Sequence, residues 1–151
     1  MINVNFAKSE HINIIADLEV NNFNNEAYSL ASLSEMLKDN YILKDNDNIF
    51  EISNDDDLIG YVIFHVSDDF TDIYKIFIRE HDRNKGYAKL LLDKVIAICR
   101  RYNSKKIMVE VRSNNLEAIN FYFKNKFTKI SERENYYKNP NDTALILKRD
   151  L

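Results

Sequence analysis

The chain has 151 residues, 45% hydrophobic, 30% charged and 12% aromatic, with a formal net charge of −3 from 21 basic and 24 acidic side chains. That length fits one domain spanning 1–151, with a core large enough to need neither a disulfide staple nor a metal. No global positive field exists to hold nucleic acid, so direct nucleic-acid binding is not expected. The longest apolar runs, such as Tyr61-Val62-Ile63-Phe64, fall short of the ~20 residues of a membrane span, and Met1-Ile2-Asn3-Val4-Asn5 lacks the basic and apolar regions of a secretory signal. A single cysteine, Cys99, excludes an internal disulfide and suits a reducing compartment, so a cytoplasmic location is expected.

Ile2-Asn3-Val4-Asn5-Phe6 alternates as a half-buried strand does. Ser9 can cap a helix whose stripe runs Ile12, Ile15, Leu18 and Glu19 onward to Phe23, and Tyr28 to Leu37 reads as a second helix after an Asn-rich loop. Ile49–Ile52 and Leu58–Val66 are strands joined by a turn over Ser53 to Asp57, and Ile73–Ile78 is a third strand of an antiparallel meander. A polar loop, Arg79 to Lys85, then leads into a helix from Gly86 or Tyr87 to about Tyr102, burying Leu91, Leu92, Val95, Ile96 and Cys99. Lys106–Val111 is a strand with Ile107, Val109 and Val111 on one face and Met108, Glu110 and Arg112 on the other. Asn114 or Asn115 can cap a helix over Leu116 to Lys124, and strands over Phe127–Tyr137 and Thr143–Lys148 flank a turn at Asn139-Pro140-Asn141-Asp142. The order β α α β β β α β α β β is that of a mixed α/β (α+β) domain.

Two segments can carry chemistry. Arg83-Asn84-Lys85-Gly86-Tyr87-Ala88 sits between a strand and a helix start, where free backbone N–H groups and the helix dipole suit a pyrophosphate. The spacing is neither GxxxxGK[ST] nor GxGxxG, and a glycine closing a turn beside a solvated basic pair is the plainer alternative. The second is Glu110 with Tyr122: a carboxylate near a strand end can act as a base, and a phenol can protonate a leaving thiolate. Their plainer alternatives are a pairing of Glu110 with Arg112 or a neighbouring strand, and a packed Tyr122 whose hydroxyl is tied to backbone. Cys99 lies on an apolar stripe and reads as a buried small side chain. His11, His65 and His81 lack ligand spacing, so no metal is expected.

In this order the pieces resemble the GNAT (GCN5-related N-acetyltransferase) family, and within it the ribosomal-protein-alanine N-acetyltransferases. The likeness runs from Ile73 to Leu147 and more loosely from Ile2. Arg83-Asn84-Lys85-Gly86-Tyr87-Ala88 matches the acetyl-CoA motif [RQ]xxGx[GA]. Glu110-Val111-Arg112-Ser113-Asn114-Asn115, then Ala118-Ile119-Asn120-Phe121-Tyr122, Phe127 and Arg133-Glu134-Asn135-Tyr136-Tyr137 point to the subgroup. Two departures are a Lys126 where glycine is usual and the missing proline at Glu80-His81.

The resemblance implies a mixed central sheet with splayed parallel central strands and flanking helices, and acetyl-CoA as co-substrate. Ile76, Phe77 and Ile78 would bind the pantetheine arm through backbone, with an N–H near Phe77 or Ile78 polarising the thioester. The amides of Arg83, Asn84, Lys85, Gly86, Tyr87 and Ala88 would take the pyrophosphate, and Asn115 and Tyr122 would also contact the cofactor. Glu110 becomes the base, Tyr122 the acid, and Tyr28, Glu134, Tyr136 and Tyr137 the wall of a peptide channel. The expected acceptor is a protein N-terminus, such as that of a ribosomal protein. The alternatives are a small amine, or a catalytically silent acetyl-CoA-binding module. A monomer or weak dimer is expected.

Overall fold

The computed structural model describes residues 1–37, 43–138 and 141–151. Seven strands form one sheet: β1 (Ile2–Phe6), β2 (Asp47–Asn54), β3 (Asp57–Val66), β4 (Thr71–Ile78), β5 (Lys106–Arg112), β6 (Thr128–Tyr137) and β7 (Asp142–Asp150). The spatial order is β1-β2-β3-β4-β5-β7-β6, every neighbouring pair being antiparallel except β4 with β5. Helices cover both faces. On one face α3 (Tyr87–Arg101) and α4 (Leu116–Lys124) close a core around Phe64, Leu91, Val95 and Ile107, and on the other α1 (Ile12–Phe23) and α2 (Leu30–Leu37) close a second around Ile15, Leu33 and Tyr61. The element order and the fold class agree with the reading of the sequence.

Several boundaries move, each for a local reason. Ser9 makes no capping bond: it opens a short 3-10 turn, and α1 starts at Ile12. That start is held by the buried His11, whose Nδ1 lies 2.9 Å from a Glu51 carboxylate oxygen and whose Nε2 lies 3.0 Å from the Asp56 carbonyl. The second helix begins at Leu30, not Tyr28, because the hydroxyl of Ser29 accepts the Ser32 N–H and its carbonyl accepts the Leu33 N–H. The β2–β3 turn is only Asp55-Asp56, with Asp55 at φ 53°, so the flanking strands run further than their apolar residues suggest. Within the last turn, Asn139 and Pro140 lie outside the described residues. Gly60 in β3 permits a close strand approach: a Cβ there would lie 2.2 Å from the Phe77 carbonyl oxygen.

Lys126, where the resemblance leads one to look for glycine, adopts φ 70° just past the end of α4. The turn is therefore kept, at a conformational cost of roughly 1 kcal/mol for an L side chain in the left-handed region. Lys126→Gly is expected to stabilise the fold by about that amount, read as a raised urea midpoint with unchanged m. A lowered midpoint would contradict this.

Candidate active site

The site begins where two strands part. Parallel pairing of β4 with β5 covers only Thr71 to Ile73 against Ile107 to Val109. Beyond it, each strand stays with its outer neighbour, β4 with β3 as far as Ile78 and β5 with β7 as far as Arg112. The divergence coincides with a bulge: register passes from Phe64↔Ile73 to Ile63↔Lys75, leaving Tyr74 as the extra residue that bends β4. Past the bulge, the Arg79 N–H donates to the Ile59 carbonyl. Alternation then gives the Phe77 amide to β3 and turns the backbone groups of Ile76 and Ile78 towards the gap. Of the two amides expected to polarise a thioester, Ile78's is therefore the one available.

A cavity of about 560 Å³ opens along the gap on the side of α3 and α4. Ile76, Phe77, Ile78, Arg83, Asn84, Gly86, Tyr87, Ala88, Asn115 and Tyr122 all lie on its wall, together with Asn22 and Phe23 of α1. The Phe77 ring packs at 5.7 Å from Phe23 and 5.6 Å from Tyr61, so it belongs to the α1/α2 core. Lys85 pairs with Asp82 at 3.7 Å and is not on the wall.

The start of α3 is uncapped. Gly86 holds φ 84°, no side chain accepts from the first turn, and the Gly86 carbonyl accepts the Leu90 N–H at 3.3 Å. The amides before Leu90 thus have no partner within the helix, which is the donor set an anion fits. Arg83 stands beside them, its Nε donating to the Ile78 carbonyl at 2.9 Å and its guanidinium 4.0 Å from Glu117. On the opposite wall Asn115 caps α4, its side-chain oxygen accepting the Ala118 N–H at 3.2 Å. Tyr122 is 4% exposed, held edge-on between Phe121 and Phe127, and its hydroxyl makes no hydrogen bond with a described residue. The alternative in which that hydroxyl is tied to backbone is thus not what is seen.

Glu110 does not line this cavity. It follows Val109, the last residue of β5 to pair with β4, and faces the α1/α2 side, where Arg133 of β6 lies 3.7 Å away. Arg112, two residues on, pairs instead with Glu26. Tyr28 and Tyr137 gather on this same side. The Tyr137 ring lies 4.3 Å beneath the Arg112 guanidinium, and Tyr28 is fixed by its N–H, which donates to Glu19. Glu134 and Tyr136 are exposed on β6; Tyr136 touches Tyr137 and Arg133, and Glu134 makes no hydrogen bond or ion pair with a described residue.

Sequence reasoning missed the hub under this surface. The fully buried Glu19 carboxylate accepts from Lys75 Nζ at 2.7 Å, from the Tyr28 N–H at 3.0 Å and from the Tyr61 hydroxyl. The available signal was a carboxylate four residues after Ile15 on an apolar stripe, a position that demands a buried partner.

Burial, reinforced by Asp47 and Glu19 at Tyr28 and by Glu110 and Glu26 at Tyr137, pushes both phenols up to about 12. Tyr61, Tyr74 and Tyr122 are raised further, burial being the largest cause in each. The unfolded chain releases such protons near pH ~10, so above that pH the folded state binds more protons and stability falls as pH rises. The melting temperature is expected to drop between pH 10 and 12, with these phenols ionising only as the protein unfolds. Reversible ionisation of all the tyrosines near pH 10 in the folded state would contradict it.

Cys99 is buried, its thiol donating to Thr71 at 3.2 Å, and burial raises its pKa. No group of three or more His, Cys, Asp or Glu suited to a metal occurs among the described residues, and no helix among them is long and apolar enough to cross a membrane.

A gap between splayed parallel strands, with an uncapped helix start at its mouth, is the arrangement that the family resemblance implies. The profile of the acetyltransferase (GNAT) family matches residues 12–127. The chain belongs to this family. A Bacillus subtilis protein provisionally named a ribosomal protein bS18-alanine N-acetyltransferase is 24% identical over 138 residues, covering 91% of this chain and 88% of that one. An N-alpha-acetyltransferase of Saccharolobus solfataricus is 29% identical over 105 residues, 61% of this chain and 63% of that protein. Ard1 from Thermoplasma volcanium has the same fold, with a TM-score of 0.84 at 20% identity over 99% of this chain and 97% of that one. The protein is an acetyl-CoA-dependent N-acetyltransferase.

Proposed function

We propose that this GNAT acetyltransferase moves the acetyl group of acetyl-CoA directly onto the N-terminal α-amine of a protein, with a ribosomal protein as the acceptor. The observation that carries this reading is the two-sided opening between β4 and β5. A cavity lies on its α3/α4 side, and a separate surface bearing Glu110, Tyr28 and Tyr137 lies on its α1/α2 side. Two substrates can then meet in the gap from opposite faces. The names of the Bacillus and Saccharolobus relatives support the α-amine as acceptor.

In this reading the backbone of Arg83 to Ala88, with the Arg83 charge, takes the pyrophosphate, and the backbone groups of Ile76 that β5 leaves free take the pantetheine amide, the Ile78 carbonyl already accepting from Arg83 Nε. The Ile78 N–H polarises the thioester carbonyl. An α-amine has a pKa of roughly 8 against ~10.4 for lysine, so less tuning is needed to free its lone pair at neutral pH. Glu110, through water, takes the proton of the α-ammonium so that the freed lone pair bonds to the acetyl carbon, and the second proton shed as the amide forms leaves by the same water. Tyr122 gives its proton to the sulfur as the carbon–sulfur bond breaks. Asn115 holds the start of α4 that carries Tyr122, and its amide NH2 remains a donor to the cofactor. Cys99, buried and bonded to Thr71, forms no acyl-enzyme.

The test is an initial-rate comparison of peptides with a free α-amine, the same peptides N-blocked but carrying lysine, and small amines, each varied against acetyl-CoA. Turnover only of the free α-amine, with intersecting double-reciprocal lines, is the expected result. Turnover of small amines alone would make the protein a small-molecule acetyltransferase, and acetyl-CoA binding without transfer to any of these would leave a binding module.

A further inference from the structure

The connector between α1 and α2 is fastened to both arms of the splay. Lys75, at the β4 bulge, donates to the Glu19 carboxylate at 2.7 Å and to the backbone carbonyl of Glu26 at 3.2 Å. Arg112, on β5, donates through Nε and Nη2 to one oxygen of the Glu26 carboxylate at 3.0 and 2.7 Å. A single residue of the connector is thus gripped from the two strands that diverge beneath it. The Arg112 guanidinium also lies over the Tyr137 ring at 4.3 Å, with Nη2 3.5 Å from the Lys138 carbonyl, so the same cation reaches the end of β6.

We infer that Arg112 is a positioning residue that couples the α1–α2 connector to the end of β6, so that both acceptor-side walls are set as one unit above Glu110. This rests on the acceptor lying on the α1/α2 side. The chemistry supports a positional role. An Arg fork that is 18% exposed gives geometric definition on two planes at once, a carboxylate and a ring, which a lysine point charge does not. A buried or half-buried ion pair is weak evidence for stability alone. The Arg112 side chain does not line the cavity; only its backbone carbonyl reaches a wall residue, accepting the Asn115 N–H at 3.0 Å, a contact that side-chain substitution leaves in place, so acetyl-CoA binding is independent of the guanidinium.

The test uses Arg112→Met, Arg112→Lys, Glu26→Gln and the Arg112→Met/Glu26→Gln double variant, measuring acceptor KM, kcat, acetyl-CoA Kd and melting temperature. The expected result is an acceptor KM raised about tenfold or more in each single variant, with kcat within about threefold and acetyl-CoA Kd unchanged. The double variant should be no worse than Arg112→Met alone, because that variant has already lost the Glu26 contact. Arg112→Lys should recover little. Unchanged acceptor KM in Arg112→Met, or additive losses in the double variant, would overturn the proposal. If Arg112→Met does not fold, amide hydrogen exchange in Arg112→Lys decides: protection should fall together at 24–28 and 137–138, and loss at one segment only, or at neither, overturns the coupling. Failure of the functional reading shows separately, in the wild type: were it to turn over small amines and no free α-amine, the same variants read with the amine that does react would still decide the role of Arg112.

Discussion

Glu110→Gln is expected to lower kcat roughly 100-fold or more at pH 7, with acetyl-CoA affinity unchanged, the size typical of losing a general base. The amide keeps the shape of the carboxylate but cannot take a proton. At pH 7 an α-amine with a pKa of roughly 8 is about nine-tenths ammonium, so reliance on the neutral fraction that solvent supplies accounts for about tenfold of the loss, and the missing base during attack for the rest. Raising the pH should therefore shrink the defect, as the amine deprotonates without help. A defect of constant size from pH 6.5 to 9.5 would mean that Glu110 acts on structure or binding rather than on the proton. The exposed position of Glu110, with Arg133 at 3.7 Å, suits transfer through an intervening water. Its separation from the cofactor-side cavity also predicts that Glu110→Gln leaves acetyl-CoA binding alone.

Tyr122→Phe removes one oxygen from a buried position and leaves the ring packing against Phe121 and Phe127 in place. Because the hydroxyl makes no hydrogen bond with a described residue, its loss orphans no described partner and stability should change by less than about 1 kcal/mol. Activity should fall about 100-fold at pH 7, the lower end for an acid catalyst, since a thiolate with a pKa near ~8.5 is already a fair leaving group. Burial raises the Tyr122 pKa, so the phenol stays protonated across the working range and the wild-type rate should not decline on its account below pH 10. The penalty of Tyr122→Phe should shrink above pH 8.5, where the departing sulfur needs no proton. A variant as active as wild type would remove Tyr122 from the chemistry.

How much of this was legible in the sequence differs between the two sides of the gap. The cofactor side is local: Arg83, Asn84, Gly86 and the first residues of the helix that follows are contiguous and meet on one wall as contiguity predicts, while Lys85 turns to Asp82 instead. The splay itself came from family resemblance. Periodicity marks Ile73–Ile78 as a strand but not the bulge at Tyr74 that bends it, because a bulge is set by the partner strand. The acceptor side is long-range. Glu19 meets Lys75 across 56 residues and Glu26 meets Arg112 across 86, and no local pattern pairs them. Glu134 and Tyr136 sit beside Tyr137 in sequence, yet Asn135 at φ 54° and a register shift leave both exposed while Tyr137 is half-buried. Likewise, the strand inserted between β5 and β6 is the last in the chain, an order that hairpin reasoning alone does not yield.

The most direct measurement sets the two amines in competition on one molecule: a peptide with a free α-amine and an internal lysine, incubated with acetyl-CoA and the protein, with the acetyl group located by tandem mass spectrometry. The account predicts label on the α-amine and none on the lysine, and its loss with Glu110→Gln. Label on the lysine side chain, or an unlabelled peptide alongside an acetylated small amine, would contradict it.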